Sequence, residues 1–354
     1  MLRWIDSFDN LALPSGGGVG ALLSKYDPAE SSAAYFNSGT FGESARTGTH
    51  AIGLSTGQTL ITKVLPISGA TAILGVAVYV PAASLTTAQV VPVLGVHDGA
   101  TFQIGVGIAY SGFGSTFTFT VLRGTTVLAT TTATYAADSW WYLELKTLLH
   151  ASAGTYELRI DGTSVLSATG VATISSGAAT WTRARIGSVW TGALPTFFDD
   201  FYVCDGSGAT RNDWLGPQKV ESVLAIPGAG THQAWTPLSG TDHGAMVDEA
   251  APDGDTTYNA ASAAVKDSYL HAALTLTGAI NGVQLNPYWR KTDAGACTAR
   301  TLVRTGGTTY PGTTQTPLTT YSVMPEVVEL NPNTAADWTI SAFNAAEVGA
   351  ERVT

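Results

Sequence analysis

Thr155-Tyr156-Glu157-Leu158-Arg159-Ile160-Asp161-Gly162-Thr163-Ser164-Val165-Leu166-Ser167-Ala168 carries two alternating runs on either side of Asp161-Gly162. A two-residue type I′ turn needs φ > 0 at both central positions, and Asp-Gly supplies it, so the stretch predicts a β-hairpin. Outward from it, period-two alternation with β-branched and aromatic residues recurs over 58–65, 72–80, 102–110, 116–122, 141–148, 183–189 and 197–203. Asp98-Gly99, Arg123-Gly124 and Asp205-Gly206 punctuate these runs as turns. Helical periodicity is nearly absent, and the pattern predicts an all-β sandwich.

The length of 354 residues predicts two domains. A boundary falls at Leu215-Gly216-Pro217-Gln218, where Gly and Pro break the strand pattern, giving domains over 1–215 and 219–354. In the second, a polar stretch over 232–255 separates a strand pattern at 219–226 from others at 269–276, 282–286, 300–305, 320–328 and 338–343, and 344–353 reads as a helical turn or a last strand. The expectation is a smaller β-sandwich.

A formal charge of -10, with Lys and Arg forming no basic stripe, repels phosphate backbones, so no nucleic-acid partner is expected. No apolar run approaches the roughly 20 residues a bilayer requires, so membrane insertion is not expected either. Met1–Asp9 has no apolar signal-peptide core. Cys204 and Cys297 read as two buried thiols or one interdomain disulfide, and two cysteines exclude a Cys-based zinc site. No cofactor is expected.

Several groups invite a chemical reading. Asp199-Asp200 offers two hard oxygen ligands, but neighbours on a strand point to opposite faces and share a site only across a bulge. Glu144 and Glu157 alternate with leucines and read as solvent-facing partners of Lys146 and Arg159. No strand face carries the paired carboxylates of a glycosidase. His232, Asp242, His243, Asp248, Glu249, Asp253 and Asp255 form the densest set of ligand-type residues, at spacings that follow no metal motif, and read as loop residues. The glycines at 16, 17, 18 and 20 lack the Lys-Ser/Thr of a phosphate loop. From these absences the chain is expected not to be an enzyme. Alternation places Trp141 in the core and Trp140 on the opposite face, while Trp181, Trp190 and Trp214 fall near strand ends. Trp140, Trp181, Trp190 and Trp214 are the candidates for glycan stacking or an interface.

Trp140-Trp141-Tyr142-Leu143-Glu144-Leu145-Lys146, with the Asp161-Gly162 hairpin behind it, resembles the laminin-G-like, concanavalin A-like jelly rolls. Ala184-Arg185-Ile186-Gly187-Ser188 and Phe198-Asp199-Asp200-Phe201-Tyr202-Val203 look like that fold's closing strands, which return beside the N-terminal strand. No Asp/Asn cluster maps onto the calcium loops of its metal-binding members. Trp4-Ile5-Asp6-Ser7-Phe8-Asp9, the passage 199–216, Arg290-Lys291-Thr292-Asp293-Ala294-Gly295 and Arg304-Thr305-Gly306-Gly307 are similar to tailed-bacteriophage virion proteins in which a jelly roll precedes a smaller β domain. The resemblance implies a non-enzymatic virion protein, tail- or fibre-associated, assembled in the host cytoplasm. Its expected partners are other virion proteins, further copies of itself as a homotrimer, and a host-surface glycan. Capsid decoration or a head fibre is the alternative, and a secreted carbohydrate-binding protein is the second.

Overall fold

Antiparallel pairing gathers the alternating runs into two large sheets in the computed structural model, which describes residues 1–9, 24–27, 31, 35–37, 44–54, 57–85, 88–112, 114–187, 196–250 and 252–354. The described chain divides into unit 1, Met1–Asp9 with Tyr26–Val220, and unit 2, Glu221–Thr354 with residues 24 and 25.

Unit 1 contains β1 (Leu2–Asp6), β2 (Tyr35–Asn37), β3 (Ile52–Leu54), β4 (Thr59–Ile61), β5 (Thr71–Tyr79), β6 (Gln89–Asp98), β7 (Thr101–Tyr110) and β8 (Thr116–Arg123). There follow β9 (Thr126–Thr130), β10 (Tyr135–Ala136), β11 (Trp140–Leu148), β12 (Gly154–Ile160), β13 (Thr163–Val171), β14 (Arg183–Gly187) and β15 (Thr196–Asp205). One sheet runs β13-β12-β11-β5-β15-β3-β2, with β1 also on β15; the other runs β10-β8-β7-β6-β14-β4, with β9 on β8. This is the expected jelly-roll sandwich. Leu74, Val76, Leu143, Leu145 and Leu158 of the first sheet are buried, as are Val96, Ile104, Val106, Val121 and Ile186 of the second. Their alternates make the two outer faces.

β1 lies antiparallel to β15, and Arg3 donates from Nε and Nη2 to Asp205 Oδ2 at 2.9 and 2.7 Å, fixing the start of the chain to its return strand. At the hairpin, Ile160 opposes Thr163 across Asp161 (φ 49°) and Gly162 (φ 79°). Asp161 Oδ1 also accepts the Tyr142 N–H at 2.9 Å. Gly162→Ala keeps the contacts but forces a Cβ into left-handed backbone, so it is expected to lower stability by about 1–2 kcal/mol. An unchanged urea midpoint would remove the turn from the set of fold determinants.

β6 has no clean period-two signal, because nearly every residue from Val91 to Val96 is buried and Pro92 and Gly95 interrupt the run. Its register shifts between Pro92 and Leu94, where an absent N–H is tolerated. Trp141 is half-buried rather than interior: its ring meets Tyr135 edge-on at 5.1 Å and its Nε1 donates to the Ala136 carbonyl.

Unit 2 is built on a four-stranded antiparallel sheet ordered Lys266–Tyr269, Glu347–Arg352, Ala299–Thr305, Thr308–Pro311, with three two-stranded ladders. Leu285, Val303, Trp338, Phe343 and Ala346 form its hydrophobic cluster. Within 344–353, Glu347–Arg352 forms a strand, and a central one. The strand expected over 338–343 is instead the short helix α1 (Ile340–Asn344), because the Thr339 side chain accepts the Ala342 N–H as an N-cap. The strand expected over 219–226 is not formed; Ile226 N–H bonds the Leu270 carbonyl and Ala225 makes an isolated bridge to His271.

Candidate functional site

On the outer face of the eight-stranded sheet, β11 presents Trp140, Tyr142, Glu144 and Lys146, the alternates of its interior leucines. Residues 213–220, which include the linker expected at 215–218, cross this face as a strap. Lys146 Nζ meets Asp213 Oδ1 at 2.7 Å, Gly216 N–H donates to Glu144 Oε1 at 2.8 Å, and Val220 N–H donates to Asp200 Oδ1 at 2.6 Å. Glu144 is thus fully buried and not solvent-facing, with Tyr202 Oη donating to its Oε1 at 2.6 Å and Oε2 left unpartnered. Burial pushes its carboxyl above the usual carboxylate range, against the Tyr202 and Gly216 bonds. Glu157 does pair with Arg159, at 2.8 Å.

Asp199 and Asp200 do share a site, because the chain bulges between Asp199 and Tyr202 and Asp200 sits at φ 52°. Asp199 Oδ2 accepts the Arg46 and Thr47 N–H groups at 2.9 and 3.0 Å, and Asp200 Oδ2 accepts Thr47 Oγ1 and the Arg46 guanidinium. Both carboxylates are fully buried. Burial, and then the Asp200 charge, push Asp199 up to about 8. The pair clasps the 46–47 chain, and among the described residues no three His, Cys, Asp or Glu side chains are placed to hold a metal ion.

Trp140 and Trp214 are half-buried at separate places on this face. Trp140 donates Nε1 to the Ser44 carbonyl at 3.0 Å beside the Tyr79 ring, and Trp214 lies under the Arg159 guanidinium at 4.2 Å. Trp181 is 1% exposed and donates to the Thr71 carbonyl, so it is a core residue and no contact candidate. Trp190 lies outside the described residues. The polar stretch of unit 2 is dispersed: Asp242 takes the Gly228 and Ala245 N–H groups, Asp253 takes Thr257, Asp255 pairs with Arg290 at 2.8 Å, and His232 meets Thr309. His243 alone makes a buried polar centre, its Nδ1 2.8 Å from Asp267 Oδ2, to which Tyr269 Oη also donates. Cys204 and Cys297 are both thiols rather than a disulfide.

A buried cationic group lies on the outer side of the seven-stranded sheet. Gly95 and Gly105 oppose each other in β6 and β7, with the interior residues Val96, Ile104 and Val106 as their neighbours, so any side chain there would project outward. Their missing side chains make room for the Phe102 ring: a Cβ on Gly95 would fall 2.3 Å from Phe102 Cε2, and one on Gly105 2.7 Å from its Cζ. The Arg185 guanidinium lies over this ring at 4.3 Å, and His97 is 5.5 Å from it. Arg183, two residues away, has Asp27 at 3.0 Å. Among the described residues no carboxylate pairs with Arg185, and its Nε and Nη2 are buried without a hydrogen-bond partner. Burial lowers its pKa only to about 10, so it remains cationic at neutral pH. Burial, then the Arg185 charge, bring His97 down to about 3, so the imidazole is neutral there. Sequence reading missed this group. The two arginines alternate with Ala184 and Ile186 and announce an outward face, but which of them lacks a countercharge depends on Asp27, 156 positions before Arg183 in the chain.

No family model and no curated protein matches this chain. Solved structures do. An endo-β-1,4-glucuronan lyase from the fungus Trichoderma reesei is similar at 15% identity over 53% of this chain and 91% of its own, with a TM-score of 0.38. The alginate lyase Aly36B is similar at 11% identity over 57% and 96%, with a TM-score of 0.39. A Trypanosoma rangeli sialidase mutant with trans-sialidase activity is similar at 12% identity over 44% and 25%, with a TM-score of 0.31. The likeness is one of fold, and these neighbours are glycan-acting β-sandwich proteins. The non-enzyme expectation is corrected here, since lyases and sialidases stand among the similar structures. Its premise was also too narrow: an absent linear motif excludes little where folding joins Glu144 to Tyr202 and His243 to Asp267.

Proposed function

We propose that the chain is a glycan-recognising component of a tailed-phage particle, tail- or fibre-associated, with the outer face around Trp214 and Arg159 meeting the glycan. The observation that carries the glycan part is the partly exposed Arg159 guanidinium laid on the Trp214 ring. An aromatic face packs against the apolar side of a sugar, and a fork of N–H donors orients its oxygens. The particle part is supported by the sequence likeness of residues 4–9 and 199–216 to virion proteins, and that likeness also brings assembly as a homotrimer with other virion proteins.

Gold-labelled antibody imaging of purified particles tests the assignment, with label expected at the tail. Label over the head would move the protein to capsid decoration, and particles without label would return it to the secreted carbohydrate-binding class. Light scattering of the purified chain is expected to give three copies. Glycan turnover is followed in the same preparations by the release of reducing ends.

A further inference from the structure

Trp214 is flanked by charges that are already matched. The Arg159 guanidinium lies over the indole at 4.2 Å and the Lys146 ammonium at 6.0 Å. Arg159 Nε donates to Glu157 Oε1 at 2.8 Å and Lys146 Nζ to Asp213 Oδ1 at 2.7 Å, and Lys146 stands directly opposite Glu157 in the β11–β12 ladder. The two cations and two carboxylates sum to zero. All of them reach solvent: the side chains of Arg159 and Glu157 are each 30% exposed, that of Lys146 35% and that of Asp213 63%. The Lys146 bond holds the Asp213 carboxyl below its usual range, so it stays anionic at neutral pH.

A sugar carboxylate arriving here meets two carboxylates already seated on the cations it would need, and like-charge contacts of that kind select against a ligand. The formal charge of -10 repels a polyanion at longer range as well. A hydroxyl meets no such barrier, since it both donates and accepts. Each ion pair engages one carboxylate oxygen; Glu157 Oε2, Asp213 Oδ2 and the Arg159 Nη groups make no hydrogen bond among the described residues. The exposed Ser167 lies opposite Glu157 on β13 and adds a hydroxyl to the same face. Acceptors and donors thus stand side by side next to an aromatic ring, an arrangement that adjacent sugar hydroxyls satisfy.

We infer that the Trp214 face takes a neutral glycan and rejects uronate- and sialate-bearing ones, its hydroxyls bonding the open atoms of Arg159, Glu157 and Asp213. The inference rests on the glycan reading above and specifies its ligand class.

The test begins with the full-length protein on an array carrying neutral hexose and N-acetylhexosamine oligosaccharides beside uronate- and sialate-bearing ones. Calorimetric titration follows with the best-bound neutral oligosaccharide and its acidic counterpart of the same linkage. The neutral glycans are expected to give the signal, with the acidic counterpart bound at least about tenfold more weakly. Glu157→Gln combined with Asp213→Asn removes both negative charges and keeps the side-chain shapes, and it is expected to shrink that ratio to about twofold or less. A merely structural role for the two residues would leave the ratio unmoved. Should the double variant fail to fold, Asp213→Asn alone, at the more exposed position, is expected to lower the ratio by at least about twofold. Trp214→Ala is expected to abolish binding. Acidic glycans bound as tightly as neutral ones, or a ratio unchanged in these variants, overturns the inference, and the glycan reading stands so long as that binding needs Trp214. Binding that survives Trp214→Ala, or an array without a bound glycan, overturns both.

Discussion

Asp200→Ala is expected to destabilise unit 1 by about 3–5 kcal/mol, the cost of breaking a buried ion pair from one side. The Asp200 carboxylate is fully buried and joins two separate pieces of chain to β15: Arg46 and Thr47 through Oδ2, and the strap through the Val220 N–H on Oδ1. Alanine leaves all three donors without that acceptor and places a methyl-bearing residue at φ 52°. Asn tolerates this backbone and retains one acceptor, so Asp200→Asn should cost less than half as much. Calorimetry of the full-length chain reads the difference, and equal transition temperatures for wild type and Asp200→Ala would show that the clasp contributes nothing. The pH dependence follows from Asp199. Its carboxyl is raised to about 8, so the folded protein holds a proton that the unfolded chain releases at about 4. Stability should therefore fall as pH rises through that window and level off above it. Removing the neighbouring charge in Asp200→Asn should flatten the slope. Stability that instead rises across the window in the wild type would contradict a buried, protonated Asp199.

Gly75→Val is expected to cost 3 kcal/mol or somewhat more, at or above the upper end of the roughly 1–3 kcal/mol typical of overpacking. Gly75 lies in β5, paired on either side with Glu144 and Tyr202, and a Cβ there would fall 2.0 Å from Tyr202 Cε1. The ring has no room to retreat under the strap. Displacing it also breaks its 2.6 Å bond to Glu144, whose other oxygen already lacks a partner. Gly114→Ala serves as the control, because nothing lies nearer than 3.9 Å to a Cβ at that position. Similar unfolding midpoints for the two variants would mean that the outer face is loosely packed.

The sequence by itself determined the all-β class, the hairpin at Asp161-Gly162 and the sandwich of unit 1, because alternation and turn chemistry are local properties that survive any change of neighbours. It failed locally where the signal was local but competing: β6 loses its alternation by being buried on both faces, and Thr339 caps a helix in a stretch that reads as a strand. The site residues were less legible. Glu144 alternates with leucines as a surface residue would, and only the strap, bringing Gly216 and Tyr202 over it, makes it interior. The bulge that unites Asp199 with Asp200 is set by Arg46 and Thr47, more than 150 positions earlier in the chain. Arg183 and Arg185 are equivalent in sequence pattern, and Asp27 distinguishes them by pairing with one. Whether a charge is paired is decided by which distant segments meet it, and only the closed sandwich brings those segments together.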